Sequence, residues 1–208
     1  MPQNHLIYGC KGCGSTIAEA LFELANIPFD RKEADYDKPG PERNELLSVN
    51  PLCQVPTVVL PNGEIMTESL ALVHYVDSLA PNLRLIPRDK NFTKFLRWST
   101  FMVTAIYPTF TYGDSPAKWV GPGEASDKLR ASTDLHRMKL WKIVEENAEG
   151  PFFLGENFSA IDLYLSVMVH WRPRRPWFES NCPKIFLVAQ KIASRPDLAK
   201  AFNLNFPH

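Results

Sequence analysis

Apolar positions cluster in short runs at the start of the chain and spread to helical spacing further on. Leu6-Ile7-Tyr8, closed by Gly9, has the pattern of a short buried strand. From Ser15 or Thr16 to Asn26 the residues Ile17, Leu21 and Leu24 recur at helical spacing, with a Thr16…Glu19 capping-box pattern at the start and Asn26 as a stop. Residues 28–34 predict a second strand. A polar loop containing proline and glycine, 35–41, then leads to a short helix over 42–49. Thr57–Leu60, the Pro61-Asn62-Gly63 turn and Glu64–Met66 predict a hairpin. A helix over 68–79 follows, with Thr67 as its cap and Leu70, Val73, Val76 and Leu79 as its apolar stripe.

This strand–helix–strand, hairpin, helix order makes one α/β unit. Its first connection must be a right-handed crossover, so the first two strands lie parallel. Pro81 and Pro87 mark 80–89 as a linker. Beyond it the pattern predicts helices only: 92–110, kinked or ended by Pro108; 125–149; 159–171, opened by the Ser159-x-x-Asp162 pair; and further turns over 183–194 and after Pro196. The fold class is α/β plus all-α, with a first domain over 1–80 and a helical domain over 88–208.

Composition narrows the function. Among 208 residues, Lys plus Arg and Asp plus Glu are 23 each, so no global charge favours nucleic acid or an anionic membrane. The opening Met-Pro-Gln-Asn-His lacks the basic-then-apolar pattern of a signal peptide, and even the apolar stretch after Ser159 carries Asp162. The expectation is a cytoplasmic protein with no membrane association. Four cysteines are too few and scattered for a disulfide scaffold, and the five histidines form no ligand cluster, so no metal is expected.

Cys10 and Cys13 stand in a C-x-x-C spacing after a strand and before a helix, which points to thiol redox chemistry. The stretch Gly12-Cys13-Gly14-Ser15 is equally a flexible turn that delivers one thiol and one hydroxyl to a helix start. Such a place favours thiolate, whether the sulfur is Cys13's or a ligand's. Cys10 sits at the strand end, and Tyr8, at a strand position, points into the core.

Asn50-Pro51-Leu52-Cys53-Gln54-Val55-Pro56-Thr57, followed by Met66-Thr67-Glu68-Ser69-Leu70-Ala71-Leu72, closely resembles the cytosolic glutathione S-transferases of the bacterial, Ser/Cys-dependent kind. That family's pattern is Asn-Pro-x-Gly-x-Val-Pro, a hairpin, then Glu-Ser-x-Ala-Ile, and the likeness covers essentially the whole chain. It implies a thioredoxin-like first domain that binds glutathione as co-substrate. Gln54, Val55 and Pro56 would lie along its cysteinyl backbone, with the Val55–Pro56 bond cis, and Glu68 and Ser69 would hold its γ-glutamyl ammonium and carboxylate at a helix start. Cys53 replaces the pattern's glycine. Counting back from Phe29, the family's reactive position falls on Gly12, with Cys10 two residues before it, Cys13 one after and Ser15 three after. All three therefore stand as candidate catalytic residues.

By the same resemblance the helical domain supplies the acceptor pocket, from Tyr107, Phe110 and Tyr112 late in its first helix and from Trp171 and Arg174 in the run His170–Phe178. Those arginines would receive an anionic group or lock a helix end. The implied activity is glutathione transfer to a small electrophilic or oxidised acceptor, in a homodimer. A thiol–disulfide oxidoreductase using Cys13 with Cys10, or a non-catalytic binding module on the same scaffold, are the alternatives.

Overall fold

The computed structural model describes residues 4–207; Met1-Pro2-Gln3, part of the opening expected to carry no signal peptide, and His208 lie outside them. Two compact units form. One runs up to Ile86 and includes the chain from Lys191 onward, and the other spans Pro87–Gln190.

The first unit opens with β1 (His5–Gly9), α1 (Ser15–Leu24), β2 (Phe29–Glu33), α2 (Pro41–Val49), β3 (Thr57–Val59), β4 (Ile65–Met66) and α3 (Ser69–Leu79). The sheet order is β2-β1-β3-β4. β1 and β2 are parallel, with Ile7 beside Arg31, while β1 meets β3, and β3 meets β4, antiparallel. This small mixed sheet with its helices is thioredoxin-like. Ile7 and Val58 contribute buried sheet residues, Ile17, Leu21 and Phe22 the buried side of α1, and Leu72, Val73 and Val76 that of α3. Asn26 takes φ 51°, the left-handed stop expected after α1.

Two expected caps do not form. α1 starts at Ser15 with Gly14 in the capping position, so Thr16 lies inside the first turn and its hydroxyl is buried without a hydrogen-bond partner. Glu19 turns away from it to other partners. α3 starts at Ser69 with Glu68, not Thr67, at its cap position, and no side chain caps it.

The second unit is mostly helical. The expected helix over 92–110 is three segments: α4 (Phe92–Phe101), a π-helical stretch over Met102–Ile106, and α5 (Tyr107–Gly113). Pro108 lacks the N–H that would bond four residues back, and it falls in the first turn of α5, where that loss is tolerated. α6 (Ala117–Val120) and the long α7 (Glu124–Glu146) follow, then α8 (Ala160–Met168), α9 (Arg175–Asn181) and α10 (Pro183–Ala193). No helix among the described residues is long and apolar enough to cross a membrane. The chain ends with α11 (Ala199–Asn205), which packs on α1. The sequence pattern assigned 191–208 to the helical domain; its described residues instead group with the first unit, and two groups of α11 find partners in α1. Ala201 N–H donates to Glu23 Oε2 at 3.0 Å and Asn205 Nδ2 to Glu19 Oε2 at 2.8 Å.

α8 carries the expected capping box. Ser159 N–H donates to Asp162 Oδ2 at 2.7 Å and Phe153 N–H to Oδ1 at 2.7 Å, deep in the unit. Burial pushes the Asp162 carboxyl up to about 6, against these hydrogen bonds. A carboxyl with a raised folded-state pKa contributes most stability below its unfolded value, and that contribution is lost as pH rises through the folded one. Asp162→Asn should lower unfolding free energy by about 1–3 kcal/mol through lost hydrogen bonding. Denaturant titrations at about pH 5 and about pH 7.5 should show the larger deficit at the acid value. A deficit that grows with pH would contradict the assignment.

Candidate active site

The site begins where β1 ends. A Cβ on Gly9 would lie 2.9 Å from both Glu19 Oε1 and Ser15 Oγ, so only glycine lets the strand pass this close to α1. Cys10 to Cys13 then form a tight turn, in which Cys13 N–H donates to Cys10 C=O at 3.2 Å and Gly12 sits at φ +70°. That dihedral at the third turn position is the one a type II turn asks of glycine. From α11, Asn205 Oδ1 accepts the Gly12 N–H at 3.1 Å.

Ser15 is fully buried. Its hydroxyl accepts the Cys10 N–H and donates to the Cys10 C=O, both at 3.1 Å, and so clamps the strand end. The Cys13 thiol is half-buried, with its sulfur 3.6 Å from the Tyr36 hydroxyl. The Cys10 thiol, also half-buried, bonds to it and holds the Cys13 pKa below that of an ordinary thiol; Tyr36 adds to this, while burial and the carboxylates Glu33 and Asp35 oppose it. Cys10 is pushed up in return, first by the same bond and then by burial. Tyr36 is raised as well, by burial and then by Cys13. Tyr8 lies in the core, where its hydroxyl donates to Glu45.

A second edge comes from the segment before β3. The buried Asn50 holds it: Nδ2 donates to Thr57 Oγ1 at 2.9 Å, and Oδ1 accepts the Leu52 N–H at 3.0 Å. Cys53 takes φ 51°, which explains the glycine usual at this place, and its buried thiol packs with Tyr8, Ala34 and Leu46. Gln54 is exposed, Val55 half-buried and Pro56 buried, and the Val55–Pro56 bond is cis as the resemblance implied. Glu68 is exposed at φ 62°, an unusual backbone for a non-glycine residue, and places Ser69 in the first turn of α3.

In the helical unit, Tyr107 and Phe110 contact Trp171 edge-on, with centroids 5.6 and 5.1 Å away. Tyr112 stands apart, exposed against Trp119. Arg174 donates to His170 C=O at 2.8 Å, while Arg172 reaches Gly113 C=O and Asp114, so both lock the turn after α8. A cavity of about 380 Å³ lies beside them, lined by Asp134, Arg137, Met138, Arg172, Pro173 and Arg174. Among the described residues no group of three or more His, Cys, Asp or Glu side chains is placed to hold a metal ion.

The glutathione S-transferase N-terminal domain model matches residues 15–79. Over 202 residues, 96% of this chain and 97% of the relative, the sequence is 35% identical to the uncharacterised GST-like protein YncG of Escherichia coli (strain K12). The chain belongs to the glutathione S-transferase superfamily. It is also 24% identical over 184 residues, 88% of this chain and 86% of the relative, to glutathione S-transferase GstA of Escherichia coli O157:H7. A glutathione transferase homologue from Sulfitobacter, solved with bound glutathione, has the same fold, with a TM-score of 0.81 at 23% identity over 97% of this chain and 98% of the other.

Within this transferase scaffold, Tyr36, Asn50 and Asn205 are site-shaping residues that the sequence motifs did not single out. Asn50 was inside the quoted motif, but nothing local marks Tyr36 or Asn205 as neighbours of the C-x-x-C turn. Because the Tyr36 hydroxyl lies 3.6 Å from the Cys13 sulfur and helps to hold its pKa down, Tyr36→Phe should raise the pKa of the Cys13 thiol. Alkylation rate against pH, followed by peptide mass spectrometry at Cys13, reads this directly. An unchanged profile would remove Tyr36 from the site.

Proposed function

We propose that this chain is a glutathione transferase that binds glutathione in the first unit and promotes attack of its sulfur on a small electrophilic or oxidised acceptor. The observation that carries the reading is the division of labour at the turn: Cys13 presents a half-buried sulfur 3.6 Å from the Tyr36 hydroxyl, with its pKa held down, while the Ser15 hydroxyl is buried and committed to Cys10. Cys13 is therefore the residue that meets the glutathione sulfur. It shares the glutathione thiol proton and leaves negative charge near the start of α1. Ser15 shapes the turn, and Cys10 tunes Cys13.

Glutathione would lie along Gln54 and Val55 beside Pro56, its cysteinyl backbone pairing with Val55 as an added strand pairs. Its γ-glutamyl end would reach Glu68 and Ser69, where the first amides of α3 favour a carboxylate. Tyr107, Phe110 and Trp171 would give the acceptor an aromatic surface, with Tyr112 and Arg174 at its edge. Glu68→Ala and Ser69→Ala should each weaken glutathione binding by about 1.5–3 kcal/mol, roughly ten- to a hundredfold. Unchanged calorimetric affinity in both variants would refute this placement.

The family resemblance also implies a cytoplasmic homodimer in which the first unit of one copy packs against the helical unit of its partner. Phe92 and Leu96, one turn apart on α4, are exposed and offer apolar surface for it. Sedimentation at micromolar concentration should give the mass of two chains; a stable monomer would refute the assembly.

A further inference from the structure

We propose that Cys10 and Cys13 form a reversible internal disulfide, giving this protein a second activity: two-electron thiol–disulfide exchange with glutathione disulfide. The inference rests on the glutathione reading of the same site and adds to it a role for Cys10, whose thiol the transferase reaction does not consume.

The geometry comes from the turn. A hydrogen-bonded turn of four residues holds its first and last Cα atoms within about 7 Å, and disulfides span Cα separations of about 4.4–6.8 Å. Cys10 and Cys13 are the ends of such a turn, closed by the 3.2 Å bond from Cys13 N–H to Cys10 C=O. Three outside contacts keep it in place. Gly12 N–H is held by Asn205, Cys10 N–H and C=O by Ser15, and Lys11 N–H by Glu33 Oε1 at 3.4 Å. Both thiols are unbridged and half-buried at the two ends of one turn, so neither has to cross the core to react. The remaining cysteines, Cys53 and Cys182, are buried.

The two thiols differ in the way a two-step exchange requires. Cys13, held toward thiolate by its neighbours, attacks one sulfur of glutathione disulfide; a Cys13–glutathione disulfide forms and one glutathione thiolate leaves. The Cys10 thiol then loses its proton, which passes to the departing glutathione, and its sulfur attacks Cys13. The Cys13–glutathione bond breaks as the Cys10–Cys13 bond forms, and a second glutathione is released. In sum, the protein dithiol gives two electrons and two protons, and one glutathione disulfide becomes two glutathione thiols. Two glutathione thiols reverse the sequence. The raised pKa of Cys10 keeps it protonated while it supports Cys13 and delays its attack until Cys13 carries the leaving group.

The test treats the full-length protein with glutathione disulfide, blocks free thiols and maps peptides by mass spectrometry, in the wild type and in Cys10→Ser and Cys10→Ala. The wild type should yield a peptide with Cys10 joined to Cys13 and little retained glutathione. Both variants should instead accumulate glutathione on Cys13, at least tenfold more than the wild type. Equal glutathione retention in all three proteins, with no joined peptide, would overturn the proposal. Calorimetry with reduced glutathione on the wild type separates the two readings: binding without the joined peptide defeats the dithiol exchange alone, whereas neither binding nor adduct defeats both.

Discussion

Glu19 is a carboxylate buried inside α1, and a buried charge without partners is costly enough to shape its surroundings. Its partners come from two distant parts of the chain. Arg31 Nε of β2 donates to it at 3.0 Å, and Asn205 Nδ2 of α11 at 2.8 Å. Asn205 in turn accepts the Gly12 amide, so the same buried group that fixes α1 against β2 also sets where the Cys10–Cys13 turn lies. Gly9 belongs to this arrangement, since any side chain there would strike both Glu19 and Ser15. The C-terminal helix thus supports the site from behind, although its last residues lie far from the turn in sequence.

Around that support, two thiols at the ends of one turn have different surroundings. Ser15 fixes the Cys10 backbone with both hydroxyl functions, and Tyr36 stands over Cys13 from the loop after β2. Glu33 and Asp35 work against thiolate formation at the same place, so the thiols' acidity is a balance rather than a maximum. The proposed transfer and the proposed exchange would both begin from the same negative charge on sulfur.

The motif segment before β3 shows a different kind of economy. Asn50 satisfies the loop's polar groups, Cys53 occupies the left-handed backbone where glycine is usual, and the cis Val55–Pro56 bond leads into β3. Cys53 accepts the conformation while adding apolar contact to the cluster of Tyr8, Ala34 and Leu46. In the second unit, the Asp162 box and the arginines after α8 hold backbone groups that helix ends leave open.

Local pattern alone was enough for the order of elements from β1 to α3, the hairpin at Pro61-Asn62-Gly63, the Ser159–Asp162 cap and the family to which the chain belongs, but not for α6, α9 or the break within 92–110. Each legible feature is written in adjacent or near-adjacent residues: apolar periodicity, turn chemistry, or a motif whose parts sit on one loop and one helix start. The same pattern misplaced the cap of α1 at Thr16 and that of α3 at Thr67, because the first turn of a helix can shift by one or two residues without changing its apolar stripe. It could not choose among Cys10, Cys13 and Ser15 either, since spacing does not say which side chain is turned inward. Tertiary structure supplies the contacts that set the three apart: it buries the Ser15 hydroxyl against Cys10, brings Tyr36 to Cys13, and runs α11 back along α1 to hold Gly12. Those contacts join residues far apart in the chain, and hydrogen-bond partners and burial at such distances exist only once the core has closed.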